Sequence, residues 1–245
     1  MPEKVDPVTN EHVLEVRYKP NPRILDHRGR WAEQISEYMG LQHWRIIENR
    51  IDIFSDNEVE HAFVGFRNAG FIVVDSPTKN FFPDKAAKLF RFLFGLPDFG
   101  TSLHIERLGV RSKFCTPFNG SFEELVHLFS SRYVGLRPQA GTAVGASVRI
   151  IDAGALLNCV DKLGNFNTQS GPLARTQISD FFKKNSGFPE IGLFYDIDYF
   201  LRPNRKVAEK DVLTNIRDFA AEAWERHERI RCLIVGAESG GEAIA

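Results

Sequence analysis

The chain has 245 residues, of which 43% are hydrophobic and 26% are charged, and its formal net charge is −1. These values are typical of a globular protein with enough apolar residues for a sizeable core. A dedicated nucleic-acid binder usually carries a clear basic excess, so the charge balance argues against that class. No stretch approaches the roughly 18 uncharged apolar residues of a membrane helix, and the N-terminus lacks an apolar signal core. We therefore expect a cytoplasmic protein that does not contact a membrane.

The first half of the chain is predicted to contain strands and helices in alternation. A polar tail over residues 1–12 precedes an N-terminal α+β half over residues 13–118. Apolar spacing within that half predicts strands over residues 13–18 and 104–114, a β-rich run over 44–54, a hairpin over 62–74, and helices ending near Gly40 and Gly95.

The second half, residues 119–236, repeats this mixture and ends in a long helix. A capping box at Ser121 and Glu124 opens a helix through residue 133. Strands are predicted over residues 142–151 and 155–160, joined as a hairpin, and over residues 193–201. Residues 176–182 fit either a strand or a helical turn. The apolar period then predicts a helix over residues 208–235 and a flexible tail over 237–245.

The predicted elements together indicate an α+β fold. Most β segments are joined by tight turns, which favours antiparallel sheets with helices packed on one face. The two halves contain similar elements, so we predict two similar, closely associated halves and a long C-terminal helix.

The cysteines and histidines indicate neither a disulfide framework nor a zinc site. Cys115, Cys159 and Cys232 are far apart, so we interpret them as buried free thiols in a reducing compartment. The seven histidines form no HxH, HxxxH or HExxH pattern. A metal-free general base among them is an alternative that the sequence leaves open.

The candidate polar site consists of two arginines and two aspartates. Alternation along residues 193–201 places Asp196 and Asp198 on one face of a strand, and Arg107 and Arg111 share one face of another. The arginines can clamp a phosphate or a carboxylate, or they can pair with the aspartates across neighbouring strands. We hypothesise that the two strands lie side by side.

A divalent metal is the alternative role for the two aspartates. Mg²⁺ prefers carboxylate oxygens, and phosphoryl-transfer enzymes use such pairs. Because no third acidic residue stands at a recognisable spacing from Asp196 and Asp198, we predict no metal and no cofactor. In the alternative, these aspartates hold the metal of an enzyme that acts on phosphoryl or nucleotide substrates, and Arg107 and Arg111 hold the phosphate.

Two basic stretches are candidates for nucleic-acid contact. The first contains Arg17, Lys19, Arg23, Arg28 and Arg30, with two aromatic residues interleaved. The second contains Arg202, Arg205, Lys206 and Lys210, before the last helix. Basic and aromatic side chains together can hold single strands through phosphates and stacking. An ordinary solvated surface balanced by nearby acids is the interpretation we favour.

Three segments together resemble one protein family. They are residues 15–20 with 24–26, the Arg107-Leu-Gly-Val-Arg111 strand, and Asp196-Ile-Asp198 followed by the long helix. They resemble a family of sporadically distributed bacterial and archaeal proteins of about this length and unknown function. The resemblance implies no activity. The patchy distribution of that family implies horizontal transfer, together with defence or toxin–antitoxin genes.

The sequence therefore favours a non-catalytic binding or assembly protein, part of a mobile defence or toxin–antitoxin type of system. Its expected partner is another protein or a second copy of the chain. The first alternative is the metal-dependent enzyme described above. The second is a nucleic-acid-binding protein that uses the N-terminal basic stretch.

Overall fold

A ten-stranded antiparallel sheet runs through the residues that the computed structural model describes, which are 8–100, 102–135, 150–183 and 187–236. The strands are β1 (Thr9–Tyr18), β2 (His43–Ile47), β3 (Arg50–Phe54), β4 (Glu60–Gly65), β5 (Asn68–Val74), β6 (Ser102–Pro117), β7 (Ala155–Val160), β8 (Asn165–Ala174), β9 (Ile191–Leu201) and β10 (Arg205–Ala208). The α-helices are α1 (Arg23–Asp26), α2 (Arg28–Met39), α3 (Phe81–Gly95), α4 (Phe122–Leu128), α5 (Arg175–Phe181) and α6 (Glu209–Val235), and a π-helical turn (Phe129–Tyr133) follows α4. The predicted α+β class is confirmed.

Two helix ends lie where local sequence signals place them. The backbone of Gly40 has φ of 73°, a left-handed conformation that costs glycine little, and α2 ends there. The side chain of Ser121 accepts a hydrogen bond from the backbone N–H of Glu124 at 3.1 Å and begins α4. These local signals therefore set the C-terminal end of α2 and the N-terminal end of α4.

The strand order is β2-β3-β4-β5-β1-β6-β9-β8-β7, and β10 continues beside β6 beyond the end of β9. The central pair, β1 and β6, is antiparallel. Each of these strands is followed by a helix, and each half ends in a helix after antiparallel strands, but α5 interrupts the strands of the second half between β8 and β9. Hydrogen bonds cross continuously from one half to the other, and the predicted boundary after residue 118 stays a prediction.

The two faces of the sheet differ. Helices α2, α3 and α6 pack on one face, which we call the covered face, and the opposite one is the open face. Leu14, Val110 and Tyr199 from three central strands are buried on the covered face in one core with Trp224 of α6. This apolar core follows from the alternation of residues along each strand.

Helix α5 is the exception, because it packs on the open face. Its Ile178 and the following Phe182 bury Cys115 and Phe194, which point away from the main core. The three cysteines are free, as expected, but of these only Cys115 is buried. Within the described ranges, none of the helices combines the length and apolar character that a membrane span requires.

Three local predictions need correction. Strand β7 pairs with β8, a strand that was not predicted. Of its predicted hairpin partner, residues 142–151, only 150 and 151 are described, and these two residues are not in a strand. The polar side chains and the Gly171-Pro172 pair of β8 conceal its strand character, although Phe166 of this strand is buried in the core. Residues 9–12, predicted within the N-terminal tail, begin β1, and His12 is fully buried there. Residues 1–7 and 237–245 lie outside the described residues.

Candidate functional site

The four residues of the candidate polar site lie together on the open face. Strands β6 and β9 are antiparallel neighbours, and their register places Arg111 directly opposite Asp198. The hypothesis that the arginine strand lies beside the aspartate strand is confirmed. Whether these residues act as a site stays a prediction.

Each arginine binds one aspartate. Nη2 of Arg107 donates to both carboxylate oxygens of Asp198, at 2.7 and 2.8 Å. Nε and Nη2 of Arg111 donate to the two oxygens of Asp196, the first at 2.9 Å. The side chain of Asp196 is only 7% exposed whereas that of Arg111 is 48% exposed. This pair therefore buries its carboxylate and presents its guanidinium to solvent, whereas in the other pair Arg107 is more buried than Asp198.

A glycine and an aromatic ring position Arg107. The side chain of Arg107 crosses Gly109 to reach Asp198, and a Cβ at Gly109 would overlap the guanidinium. The guanidinium also lies over the ring of Phe200, 5.2 Å from its centroid. Such stacking holds a planar cation flat against the sheet.

The network continues on β1. Glu15 accepts from Arg17 at 2.7 Å and lies 3.9 Å from Arg107. Glu11 accepts from Lys113 at 2.9 Å. The acidic members of the central open face are Glu11, Glu15, Asp196 and Asp198, and the basic members are Arg17, Arg107, Arg111 and Lys113. Formal charges of these two groups cancel.

Burial raises the pKa values of Asp198 and Glu15, whereas hydrogen bonds and nearby positive charges lower them. Burial raises the pKa of Asp198 above its ordinary value, although the charge of Arg107 opposes this. For Glu15 the effect of burial is outweighed by hydrogen bonds from Arg17 and Asn68, and its pKa is lowered. Asp198 is therefore held less firmly in its charged form than Glu15.

The site does not fit a divalent cation. Both oxygens of Asp196 and both of Asp198 already accept from guanidinium groups. Among the described residues, no group of three or more His, Cys, Asp or Glu is placed to hold a metal. Four cavities with described walls also have none of the four site residues in their linings. The geometry thus supplies no free ligands for the metal alternative.

The structure does not bring the N-terminal basic residues into one surface. Arg17 lies on the open face, whereas Arg23 lies 3.5 Å from Asp98. Arg28 donates to the backbone carbonyls of Leu25 and Glu48. Lys19 and Arg30 are exposed, the first after β1 and the second in α2. Arg17, Arg23 and Arg28 therefore already have partners within the chain.

A second charged cluster on the open face was not predicted. The buried carboxylate of Asp52 in β3 lies 3.2 Å from Arg45, 2.8 Å from Arg50 and 3.2 Å from His61. Burial works to raise its pKa, but the hydrogen bond from His61 and the arginine charges lower it to about 2. The only sequence signal is Arg50-Ile-Asp52, because the other partners come from β2 and β4.

Replacing Arg107 by Gln is expected to destabilise the protein by about 2 kcal/mol, because Asp198 then keeps a half-buried charge without its partner. Arg17→Gln is the matched control on the same face. Its pair with Glu15 is more exposed, and we expect a loss below about 1 kcal/mol. Urea unfolding at neutral pH measures both. Equal losses would contradict the special position of Arg107.

In comparisons with known proteins, neither a protein-family model nor a curated protein matches the chain.

Proposed function

We propose that this protein is a non-catalytic binding protein that docks a protein partner on its open face. The observation that supports the proposal is the charge-balanced array of arginines and acids across β1, β6 and β9. The array lies on the sheet face opposite α2, α3 and α6. Exposed amides of Asn165, Asn167 and Gln169 continue the polar surface onto β8.

Charge balance favours a protein over a nucleic acid as the partner. Binding to a phosphate backbone depends on an excess of positive charge. In the array each of the four basic residues Arg17, Arg107, Arg111 and Lys113 is matched by an acid, so a phosphate chain would be repelled as well as attracted. Arg202, which lies over the ring of Phe200, adds one further positive charge. A protein surface of mixed charge can pair with both signs at once.

Arg111 is the residue on which we expect binding to depend most. Its Nε and Nη2 donate hydrogen bonds to Asp196, whereas its Nη1 makes no hydrogen bond to any residue the structure describes. The buried carboxylate fixes the orientation of the guanidinium, so little side-chain entropy is lost when a partner binds. Arginine is also over-represented among residues that dominate binding energy at interfaces.

The wider context is part of the same proposal. The resemblance noted for the sequence implies a partner encoded with defence or toxin–antitoxin genes. A second copy of the chain also carries the required mixed charge, since arginines and aspartates of two facing sheets can exchange partners. The experiment below separates these two partners.

Charge reversal at Arg111 is expected to abolish partner binding. Sedimentation of the purified protein over a concentration series at low and high salt first detects any salt-sensitive dimer. Tagged protein then captures partners from a lysate of the source organism, and each partner is confirmed with purified components. Arg111→Glu should abolish either association, whereas Arg91→Glu, at an exposed residue of α3, should leave it intact. Association that survives Arg111→Glu would overturn the proposal, as would the absence of any partner in both assays.

A further inference from the structure

A second candidate site lies on the covered face, where β10 leads into α6. It is a cleft of about 430 Å³. Its floor is formed by the aliphatic side chains of Ile105, Leu108, Leu201 and Val207, and cations at its rim are Arg205 and Lys210. Both cations belong to the second basic stretch of the sequence.

The cleft results from an interruption between two strands. Strand β9 leaves β6 at Leu201, and the chain turns through Pro203 and Asn204, whose φ is 48°. Strand β10 then resumes pairing with β6 from Arg205. Alternation along β10 directs Arg205 and Val207 to the same side, and both line the cleft.

The chemistry of the walls specifies an aliphatic anion. The floor contains no aromatic ring, so a nucleobase finds no surface on which to stack, whereas a hydrocarbon chain is covered on several sides. Arg205 and Lys210 form no ion pair with any residue the structure describes, while Asp211 is the one acid of the lining. Two unpaired cations against one acid leave the cleft positive.

We propose that this cleft binds a small aliphatic carboxylate or phosphate monoester. Its hydrocarbon body lies on the floor, and its anionic group is held between Arg205 and Lys210. Pockets for small ligands typically combine such an apolar wall with a few polar groups that fix orientation. Thr214 and Asn215 of α6 supply further polar atoms at the wall.

This site is independent of the proposed partner surface. Leu108 and Leu201 point to the covered face, whereas Arg107 and Phe200 point to the open face. Loss of ligand binding in the cleft would leave Arg111 unchanged. A negative result for one proposal therefore leaves the other unaffected.

Titration calorimetry with octanoate below its micellar concentration tests the proposal, with octyl phosphate as the second anionic probe. We expect saturable binding at one site. Octylammonium, which has the same chain but the opposite charge, should not bind, and acetate, which lacks the chain, should bind far more weakly.

The double variant Arg205→Gln/Lys210→Gln should weaken binding at least about tenfold, since both charge-assisted contacts are removed. Lys206→Gln is the matched control, because Lys206 lies on the other side of β10 and should leave affinity unchanged. All three side chains are exposed, and thermal melting checks that each variant is folded. Equal binding of octanoate and octylammonium, equal binding by the double variant, or no binding of either anionic probe would overturn the proposal.

Discussion

Acidification from pH 7 to pH 4 is expected to remove most of the stability of this protein, because two histidines are buried in its core. His12 of β1 lies 2.9 Å from the hydroxyl of Ser112 and stacks on Phe82. His227 of α6 lies 2.9 Å from the hydroxyl of Thr116. Each imidazole also has one buried nitrogen without a hydrogen-bond partner among the described residues, Nε2 of His12 and Nδ1 of His227. The second of these nitrogens lies 3.6 Å from a carboxylate oxygen of Glu228. Burial at both sites therefore favours the neutral ring, although the carboxylate of Glu228 opposes this at His227.

Burial lowers the pKa of both histidines from 6.5 to about 3, and for His227 the positive charges of Arg231 and Lys79 act in the same direction. Below pH 6.5 the unfolded chain therefore binds protons that the native state does not. The resulting stability is complete above pH 6.5 and is lost as the pH falls toward 3. At about 1.36 kcal/mol per pH unit for each ring, the loss at pH 4 is on the order of 7 kcal/mol. Total stabilities are only about 5–15 kcal/mol.

Urea unfolding across pH 4–7 measures this effect. The histidine contribution to the slope grows below pH 6.5 and is steepest near pH 5, about midway between the unfolded and native pKa values, where most carboxylates are still charged. His227→Gln should cost stability at pH 7 but flatten the slope, and His127→Gln, which removes an exposed imidazole, is the matched control. The nitrogen chemical shifts of His12 and His227 should report neutral rings at pH 5. A slope that is unchanged in His227→Gln would contradict the prediction.

Gly70→Ala is expected to destabilise the protein by at least about 3 kcal/mol. Gly70 lies in β5 between Glu15 of β1 and Phe63 of β4. A Cβ there would overlap the backbone carbonyl oxygen of Leu14 and the ring of Phe63. Because this carbonyl belongs to a central strand, relief of the overlap requires β1 and β5 to separate.

Gly109→Ala is the comparison that isolates the backbone effect. The added Cβ would overlap the guanidinium of Arg107, which is the mobile end of a long side chain. Arg107 can move aside, so we expect a loss of about 1 kcal/mol together with weaker pairing to Asp198. Urea unfolding of both variants decides the matter. Equal losses of unfolding free energy in the two variants would show that the backbone at Leu14 moves aside more easily than the packing of the sheet indicates.

Alternation and charge were sufficient to predict part of the site. The period of two in residues 193–201 placed Asp196 and Asp198 on one face, and pairing of opposite charges on neighbouring strands was one of the two roles that the sequence left open for Arg107 and Arg111. Strand β8 escaped prediction because its solvent-facing residues are amides and it contains Gly171-Pro172. What identifies it as a strand is pairing with β7 and β9, which local sequence does not encode.

The Asp52 cluster and the cleft were not predicted because both depend on contacts between distant segments. The partners of Asp52 come from both neighbouring strands, so no single segment shows the cluster. Arg205 and Lys210 are visible as a basic stretch, but two residues of the cleft floor, Ile105 and Leu108, lie about a hundred positions earlier in the chain. Sequence spacing predicts a shared face within one element, whereas a cavity depends on the order in which strands assemble.

The strand order also determines when each strand of a nascent chain can pair with its neighbours. Strands β1 to β5 can pair as soon as they leave the ribosome. One edge of β1 stays unpaired until β6 has been synthesised, and one edge of β6 stays unpaired until β9 has been synthesised. The ion pairs joining β6 to β9 link residues 85 and 91 positions apart. Pairing between segments this distant in sequence implies slow folding, and one edge of β6 is open until β9 has been made. A chain interrupted before Ile191 would keep that edge, and it would be a substrate for chaperones or a seed for aggregation.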